Sequence, residues 1–93
     1  MADITRISLD KSCDISKAES MHEKLEALLN VSNPIEVDAS AVERIDTSHL
    51  QMLASFVRTL NQHHIDVQIT SPSPGFVEAA RLIGLAPLFG IQN

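Results

Sequence analysis

The residues best suited to chemistry lie together at Asp46-Thr47-Ser48-His49, where a strand-like run gives way to a helix-like one. A carboxylate and two hydroxyls at the start of a helix face backbone amides that have no acceptor within the helix. A phosphate group on Ser48 would accept hydrogen bonds from those amides and would interact favourably with the helix dipole. The same side chains also suit a purely structural role as helix caps. Both interpretations stay open from the sequence chemistry alone.

Other kinds of site have little support in the sequence. Ser48 and His49 are adjacent, so their side chains diverge on a helix and cannot act as a nucleophile with its base. The three glycines of the chain form neither a phosphate-binding loop nor a dinucleotide fingerprint. His63 and His64 point about 100° apart on a helix, and no third ligand has a suitable spacing. We therefore expect no enzyme activity, no bound metal and no cofactor.

The composition limits the class of protein and its partners. The chain has 93 residues, of which 44% are apolar and 20% are charged, as is typical of a small globular domain. A net charge of -5 and only three aromatic residues oppose nucleic-acid binding. Cys13 is the single cysteine, which indicates a reducing compartment. With no signal-peptide pattern and no apolar run near ~18 residues, we expect a cytoplasmic protein without direct membrane insertion.

Two predicted strands and the helix between them position the junction. Residues 35–38 alternate apolar and polar side chains, as does the segment at 42–45. The apolar residues of 48–62 recur at helical spacing, and residues 66–70 form the next predicted strand. Because a helix separates the strands at 35–38 and 66–70, we expect those two strands to be parallel.

Further elements flank this βαβ unit. Residues 4–9 predict a strand at or near a sheet edge, and residues 17–29 predict a helix with a capping box formed by Ser16 and Glu19. Ser73 and Pro74 are a typical cap and first residue of a helix, which Gly84 ends. The predicted fold class is α/β, with a small mixed β-sheet that has a parallel βαβ core and is covered mainly by helices.

The order and spacing of these features resemble the STAS domain, the module shared by anti-sigma factor antagonists and sulfate-transporter tails. The resemblance spans residues 35–91, and we expect one such domain over residues 1–93. The matching segments are Val37-Asp38-Ala39-Ser40 with Val42, Ile45-Asp46-Thr47-Ser48-His49-Leu50, Ser71-Pro72-Ser73-Pro74 and Leu82-Ile83-Gly84-Leu85.

The resemblance implies a role for each residue of the junction. In the family, the second hydroxyl residue of the motif is phosphorylated by a partner kinase of the anti-sigma type, which carries that role onto Ser48, with Thr47 as the alternative. His49 stands where the family usually has glycine, and we expect its side chain to lie beside the acceptor hydroxyl and to alter the approach of a partner. The expected partner-binding residues are Asp38, Asp46, Thr47, Ser48, His49, Gln51 and Met52.

Two classes of partner follow from the resemblance. The first is an anti-sigma factor, serine-kinase-like or two-component signalling protein, whose binding is switched at Ser48. The second is the ATPase of an ABC transporter, on which small STAS subunits of bacterial lipid-transport systems dock. In that case Thr47 would be a contact and not an acceptor of phosphate.

Overall fold

Strands and helices alternate along the chain in the computed structural model, which describes residues 3–91. In chain order the elements are β1 (Thr5–Ser8), β2 (Ser12–Cys13), α1 (Ala18–Ala27), β3 (Ile35–Asp38), β4 (Arg44–Ile45), α2 (Thr47–Gln62), β5 (Val67–Thr70) and α3 (Pro74–Leu82). The predictions for β3, α2 and β5 are confirmed to within one residue at each end.

Strand β3 is the centre of a three-stranded sheet with the order β1-β3-β5. Both neighbours run parallel to it, with Thr5 and Val67 paired to Ile35 on either side. Strands β2 and β4 form a separate parallel pair of two residues each. The predicted α/β class with a parallel βαβ core is confirmed. Every strand pair between residues 3 and 91 is parallel, however, so the sheet expected to be mixed is wholly parallel here.

Helix α2 supplies most of the interior, because its apolar residues recur every three or four positions and share one face. The apolar side chains buried on that face are Leu50, Leu53, Ala54, Phe56, Val57 and Leu60. They form one cluster with Leu25 of α1, Val37 of β3 and Phe76 of α3. Full burial of each large apolar side chain contributes about 1.5–3 kcal/mol. The core therefore holds α2 along its whole length.

The start of the first helix differs from the predicted capping box. A 3₁₀ turn at Ile15–Lys17 precedes α1, whose first turn receives no side-chain cap. Oδ1 of Asp14 accepts hydrogen bonds from the Ser16 backbone N–H at 3.1 Å and from its hydroxyl at 2.5 Å. A carboxylate is a stronger acceptor than a serine hydroxyl. The hydroxyl of Ser16 is therefore used as a donor to Asp14, and the predicted cap is wrong.

The start of α3 confirms its prediction and also joins two parts of the fold. Oγ of Ser73 accepts a hydrogen bond from the Phe76 backbone N–H at 3.1 Å, and the Ser73 hydroxyl donates to the Val42 carbonyl. One residue further, a Cβ added at Gly75 would lie 2.8 Å from the carbonyl oxygen of Glu43. The loop between β3 and β4 and the first turn of α3 are thus in close backbone contact, which requires glycine at position 75.

The chain after α3 packs back onto the core. Gly84 has a φ of +75°, the left-handed conformation that ends many helices. Ala86 and Phe89 are buried, and the ring of Phe89 lies 5.5 Å from that of Phe76, measured between centroids. In contrast, Ile83, the residue that follows α3, is 36% exposed.

Candidate functional site

Asp46 is the N-cap of α2 and the centre of the hydrogen bonding at its first turn. Its backbone is extended, and its Oδ1 accepts a hydrogen bond from the His49 backbone N–H at 3.0 Å. The same oxygen accepts the hydroxyl of Ser48 at 2.9 Å and lies 3.0 Å from Nδ1 of His49. One carboxylate oxygen therefore binds three donors, and it links the proposed phosphate acceptor to the interior.

The first turn of α2 presents its side chains in two directions. Thr47 and Ser48 are exposed, while His49 is only 1% exposed. His49 is buried because it shares a helix face with Leu53 and Phe56, which follow it by four and seven positions. We expected the His49 side chain to lie beside the acceptor hydroxyl at the surface. It points into the interior instead, so its side chain offers no surface to a partner in this conformation.

The bonding of the imidazole indicates which tautomer His49 adopts. Nδ1 faces a carboxylate oxygen, which only accepts hydrogen bonds, so Nδ1 carries a proton. Nε2 is buried and has no hydrogen-bond partner among residues 3–91. The ring therefore donates through Nδ1 to Asp46, and Nε2 is its unpaired end.

The surroundings of Asp46 favour its ionised form. The pKa of this carboxyl is lowered, first by the hydrogen bond from the His49 backbone N–H and further by the side chains of His49 and Ser48. Partial burial opposes the shift but does not cancel it. The carboxylate is therefore charged at neutral pH and stays available as an acceptor for all three donors.

The other predicted partner-binding residues do not take part in the hydrogen bonding around Asp46. Asp38 ends β3, and its Oδ1 accepts the Ser40 backbone N–H at 2.9 Å, so it makes its side-chain hydrogen bond within its own loop. The pKa of Asp38 is lowered, first by hydrogen bonding with the Ser40 side chain and further by the bond from the Ser40 backbone N–H. Gln51 is exposed one helical turn after Ser48, and Met52 is half-buried. Of the predicted partner-binding residues, Asp46, Ser48 and His49 are therefore the three that hydrogen bonds join to one another.

Comparison with known families decides what kind of domain this is. A family model described as Mlab, STAS domain matches residues 2–90 of the 93-residue chain. The chain belongs to the STAS domain family. STAS domains are in general regulatory and interaction modules without catalytic activity. No curated protein gives a match to the chain.

The junction of this STAS domain rests on a strand pair that sequence reasoning missed. The backbone N–H of Asp46 donates to the carbonyl of Cys13 at 3.1 Å, which continues the pairing of β2 with β4. Cys13 is 1% exposed, and burial is the main cause that raises the pKa of its thiol. A strand of two residues has no periodicity to recognise. Only the alternation at 42–45 hinted at a strand before Asp46.

Met52 also belongs to a groove between α1 and α2 of the STAS domain. Its walls include Leu25, Leu29 and Phe56, and Leu29 is 42% exposed. The predicted partner-binding residues therefore fall on two surfaces. Thr47, Ser48 and Gln51 face outward at the start of α2, while Met52 faces α1.

Metal-binding clusters and membrane-spanning helices are absent from the described part of the STAS domain. Between residues 3 and 91, no three His, Cys, Asp or Glu side chains are grouped in a way that could hold a metal ion. None of the helices in that range is both long and apolar enough to cross a bilayer.

Proposed function

We propose that this STAS domain is a regulatory docking protein that binds a serine-kinase-like or sensor protein and is switched by phosphorylation at Ser48. The observation that carries the proposal is the exposed hydroxyl of Ser48, held at 2.9 Å by Asp46 on the first turn of a helix with a buried face. A partner can therefore approach the hydroxyl without unfolding any element of the domain.

A phosphate on Ser48 would be tolerated by the fold. The amides of Thr47 and Ser48 have no acceptor within α2, because they belong to its first turn. They favour an anion at this place, as does the positive end of the helix dipole. The domain keeps its shape, and the modification changes its surface charge.

The added charge would act on the partner. A phosphoserine carries about -1.5 to -2 charge units at neutral pH. It would lie beside the ionised Asp46 on a chain whose net charge is already -5. A partner surface that fits the neutral hydroxyl would lose affinity through desolvation and repulsion. Binding of the unmodified form and release of the modified form is the proposed switch.

The transfer itself needs ATP, which the kinase partner supplies. Oγ of Ser48 forms a bond to the γ-phosphorus while the bond to the leaving oxygen of ADP breaks. The hydroxyl proton leaves at the same time, and Asp46 Oδ1 is within reach to accept it. The domain provides the acceptor hydroxyl and a carboxylate that can take its proton, while the kinase provides ATP and the other catalytic groups. Because such a switch needs ATP, we propose that the protein acts in the cytoplasm.

The direct test is incubation with candidate anti-sigma-type serine kinases and ATP, followed by mass spectrometry of the modified peptide. We expect one phosphate on Ser48 and none on the Ser48→Ala variant. Thr47→Ala is the matched control, since Thr47 is the neighbouring exposed hydroxyl and should be dispensable. A kinase that binds the domain tightly but modifies neither residue would refute the switch.

A second candidate function is docking on the ATPase of an ABC transporter, as the resemblance to small STAS subunits of lipid-transport systems suggests. The family description Mlab, STAS domain is compatible with such a subunit. One observation favours it, because Thr47 is exposed on the first turn of α2 and can act as a polar contact without modification.

The two candidates differ in what the protein binds and in which hydroxyl matters. Affinity purification from the source cell would recover a kinase or sensor protein in the first case and an ABC ATPase in the second. With a recovered ATPase, Thr47→Ala should weaken binding more than Ser48→Ala does. With a recovered kinase, the order should be reversed for phosphate incorporation.

A further inference from the structure

The buried ring of His49 has a single polar partner in the described part of the chain. Nδ1 lies 3.0 Å from Asp46 Oδ1, Nε2 is unpaired, and the side chain is 1% exposed. A leucine at this place would fill the interior without leaving an unpaired polar atom there. The bond to Asp46 is therefore what a histidine adds at position 49.

We propose that His49 is a positioning residue for Ser48 and acts through the carboxylate of Asp46. The ring fixes Oδ1, and Oδ1 holds the hydroxyl of Ser48. The part of this proposal that concerns phosphate transfer rests on the proposed function, whereas the geometric part does not. His49 thus influences the acceptor from the interior and never touches the partner.

The exposure of the two side chains indicates that His49 positions Asp46, and not the reverse. The Asp46 side chain is 38% exposed, so water competes for its oxygens and the carboxylate can rotate. The His49 ring is locked by packing and contributes a second donor to the oxygen that the His49 backbone N–H already binds. A flexible polar group is held in one geometry when its neighbour has a fixed rotamer.

The orientation of Ser48 follows from that of Asp46. When the hydroxyl donates its proton toward Oδ1, the lone pairs of Oγ point away from the carboxylate and toward the surface. An oxygen already aligned with an incoming phosphorus reacts faster than one that rotates freely. Without the His49 ring, Oδ1 of Asp46 is less firmly held, so the Ser48 side chain would sample other χ1 rotamers and its hydroxyl would lose its single orientation.

Other polar groups near His49 do not bind its ring in place of Asp46. The ring also borders a narrow gap, whose lining includes Asp10, Cys13, Lys17 and Lys24. The thiol of Cys13 donates to the carbonyl of Asp10 at 3.3 Å and not to the ring. Within residues 3–91, no side chain of that gap hydrogen-bonds to the imidazole.

Three substitutions separate the Nδ1 donor from the volume of the ring. In His49→Asn the amide nitrogen can occupy the place of Nδ1 and donate to Asp46. In His49→Gln the amide lies near the place of Nε2, and in His49→Leu the side chain has no donor. Asparagine is the smallest of the three side chains and leaves the largest void. If His49 only fills space, His49→Asn should therefore lower the stability of the domain the most.

The first measurement needs no partner. Carbon-13 NMR would follow the titration of the Asp46 carboxyl, and three-bond couplings would report the rotamer of Ser48. We expect the low pKa of Asp46 and a single Ser48 rotamer in the original protein and in His49→Asn. In His49→Leu and His49→Gln, the pKa of Asp46 should rise in part, because the ring's hydrogen bond is lost while the backbone N–H of residue 49 still binds Oδ1, and the Ser48 couplings should average.

The second measurement uses the kinase that the mass-spectrometric test identifies. The rate of phosphate transfer to Ser48 should fall about tenfold in His49→Leu and His49→Gln and should be rescued in His49→Asn, as expected for a misaligned acceptor. Chemical unfolding of each variant serves as the control, because the rescue should not follow the order of stability.

The outcomes distinguish the two proposals. Unchanged Asp46 titration and Ser48 couplings in His49→Leu, or equal effects of Asn and Gln, would overturn the positioning role. Should His49→Leu fail to fold, the comparison of Asn with Gln decides the question alone. Changed couplings, together with a tightly bound kinase that modifies neither Ser48 nor Thr47, would support the positioning role while refuting the phosphorylation switch.

Discussion

Replacement of Asp46 by alanine tests the hydrogen bonding at the start of α2 most severely. The substitution removes the N-cap of a 16-residue helix and the partner of the His49 ring. Loss of an N-cap side chain costs about 1 kcal/mol, within a range of about 0.5–2. A buried donor left unpaired costs about 1–3 kcal/mol. The hydroxyl of Ser48 adds nothing to this sum, because it is exposed and can bond to water.

We therefore expect Asp46→Ala to lower the free energy of unfolding by about 2–4 kcal/mol. For a domain of this size, each kcal/mol corresponds to a fall of about 4–8 °C in the melting temperature. Urea unfolding followed by far-ultraviolet circular dichroism would measure the free energy, and an unchanged m-value would show that the exposed surface is the same.

Asp46→Asn is the matched control for that experiment. Asparagine caps helices as well as aspartate does, and its side-chain oxygen can accept the same three donors. Its cost should be clearly smaller than that of alanine. A loss of no more than about 1 kcal/mol in Asp46→Ala, the value of the cap alone, would refute the view that the buried His49 ring depends on Asp46.

Three further predictions concern the same edge of the domain. Gly75→Ala should destabilise the protein by about 1–3 kcal/mol, because its Cβ would lie 2.8 Å from the Glu43 carbonyl oxygen; an unchanged unfolding midpoint would contradict this contact. Ser48→Asp should keep the circular dichroism spectrum, since an acid is favourable at a helix start, while partner affinity in calorimetry falls; unaltered affinity would count against a charge switch. The lowered pKa of Asp46 stabilises the fold above the ordinary aspartate pKa of 3.8, and this contribution is lost as the pH falls through the folded value. Unfolding curves below pH 4 should therefore show a steeper pH dependence than those of Asp46→Asn, and parallel curves would exclude the linkage.

The parts of the fold that local patterns determine were predictable from the sequence. Strand β3 and helix α2 follow from alternation and from helical spacing, and the cap by Ser73 follows from its place before Pro74. Each of these signals lies within one element and needs no knowledge of its neighbours. The same is true of Ser48 as an exposed hydroxyl at a helix start.

The parts that depend on competition or on distant neighbours were not predictable. Whether Ser16 caps α1 depends on whether the carboxylate of Asp14 captures its hydroxyl first. The pairing of β2 with β4 involves two residues on each strand, too few for a pattern. A histidine suits either the surface or the interior. The spacing of His49 from Leu53 and Phe56 favours the buried face of α2, but its bond to Asp46 depends on how the first turn is arranged.

The buried face of α2 has a consequence for the speed of any response at its exposed end. Since the core fixes the helix along its length, the surface that meets a partner can change its charge without changing its shape. Rigid surfaces commonly associate at about 10⁵–10⁷ M⁻¹s⁻¹, and a charge at the rim alters that rate and its dependence on salt. The difference in association rate between the unmodified and the phosphorylated domain should therefore depend on ionic strength.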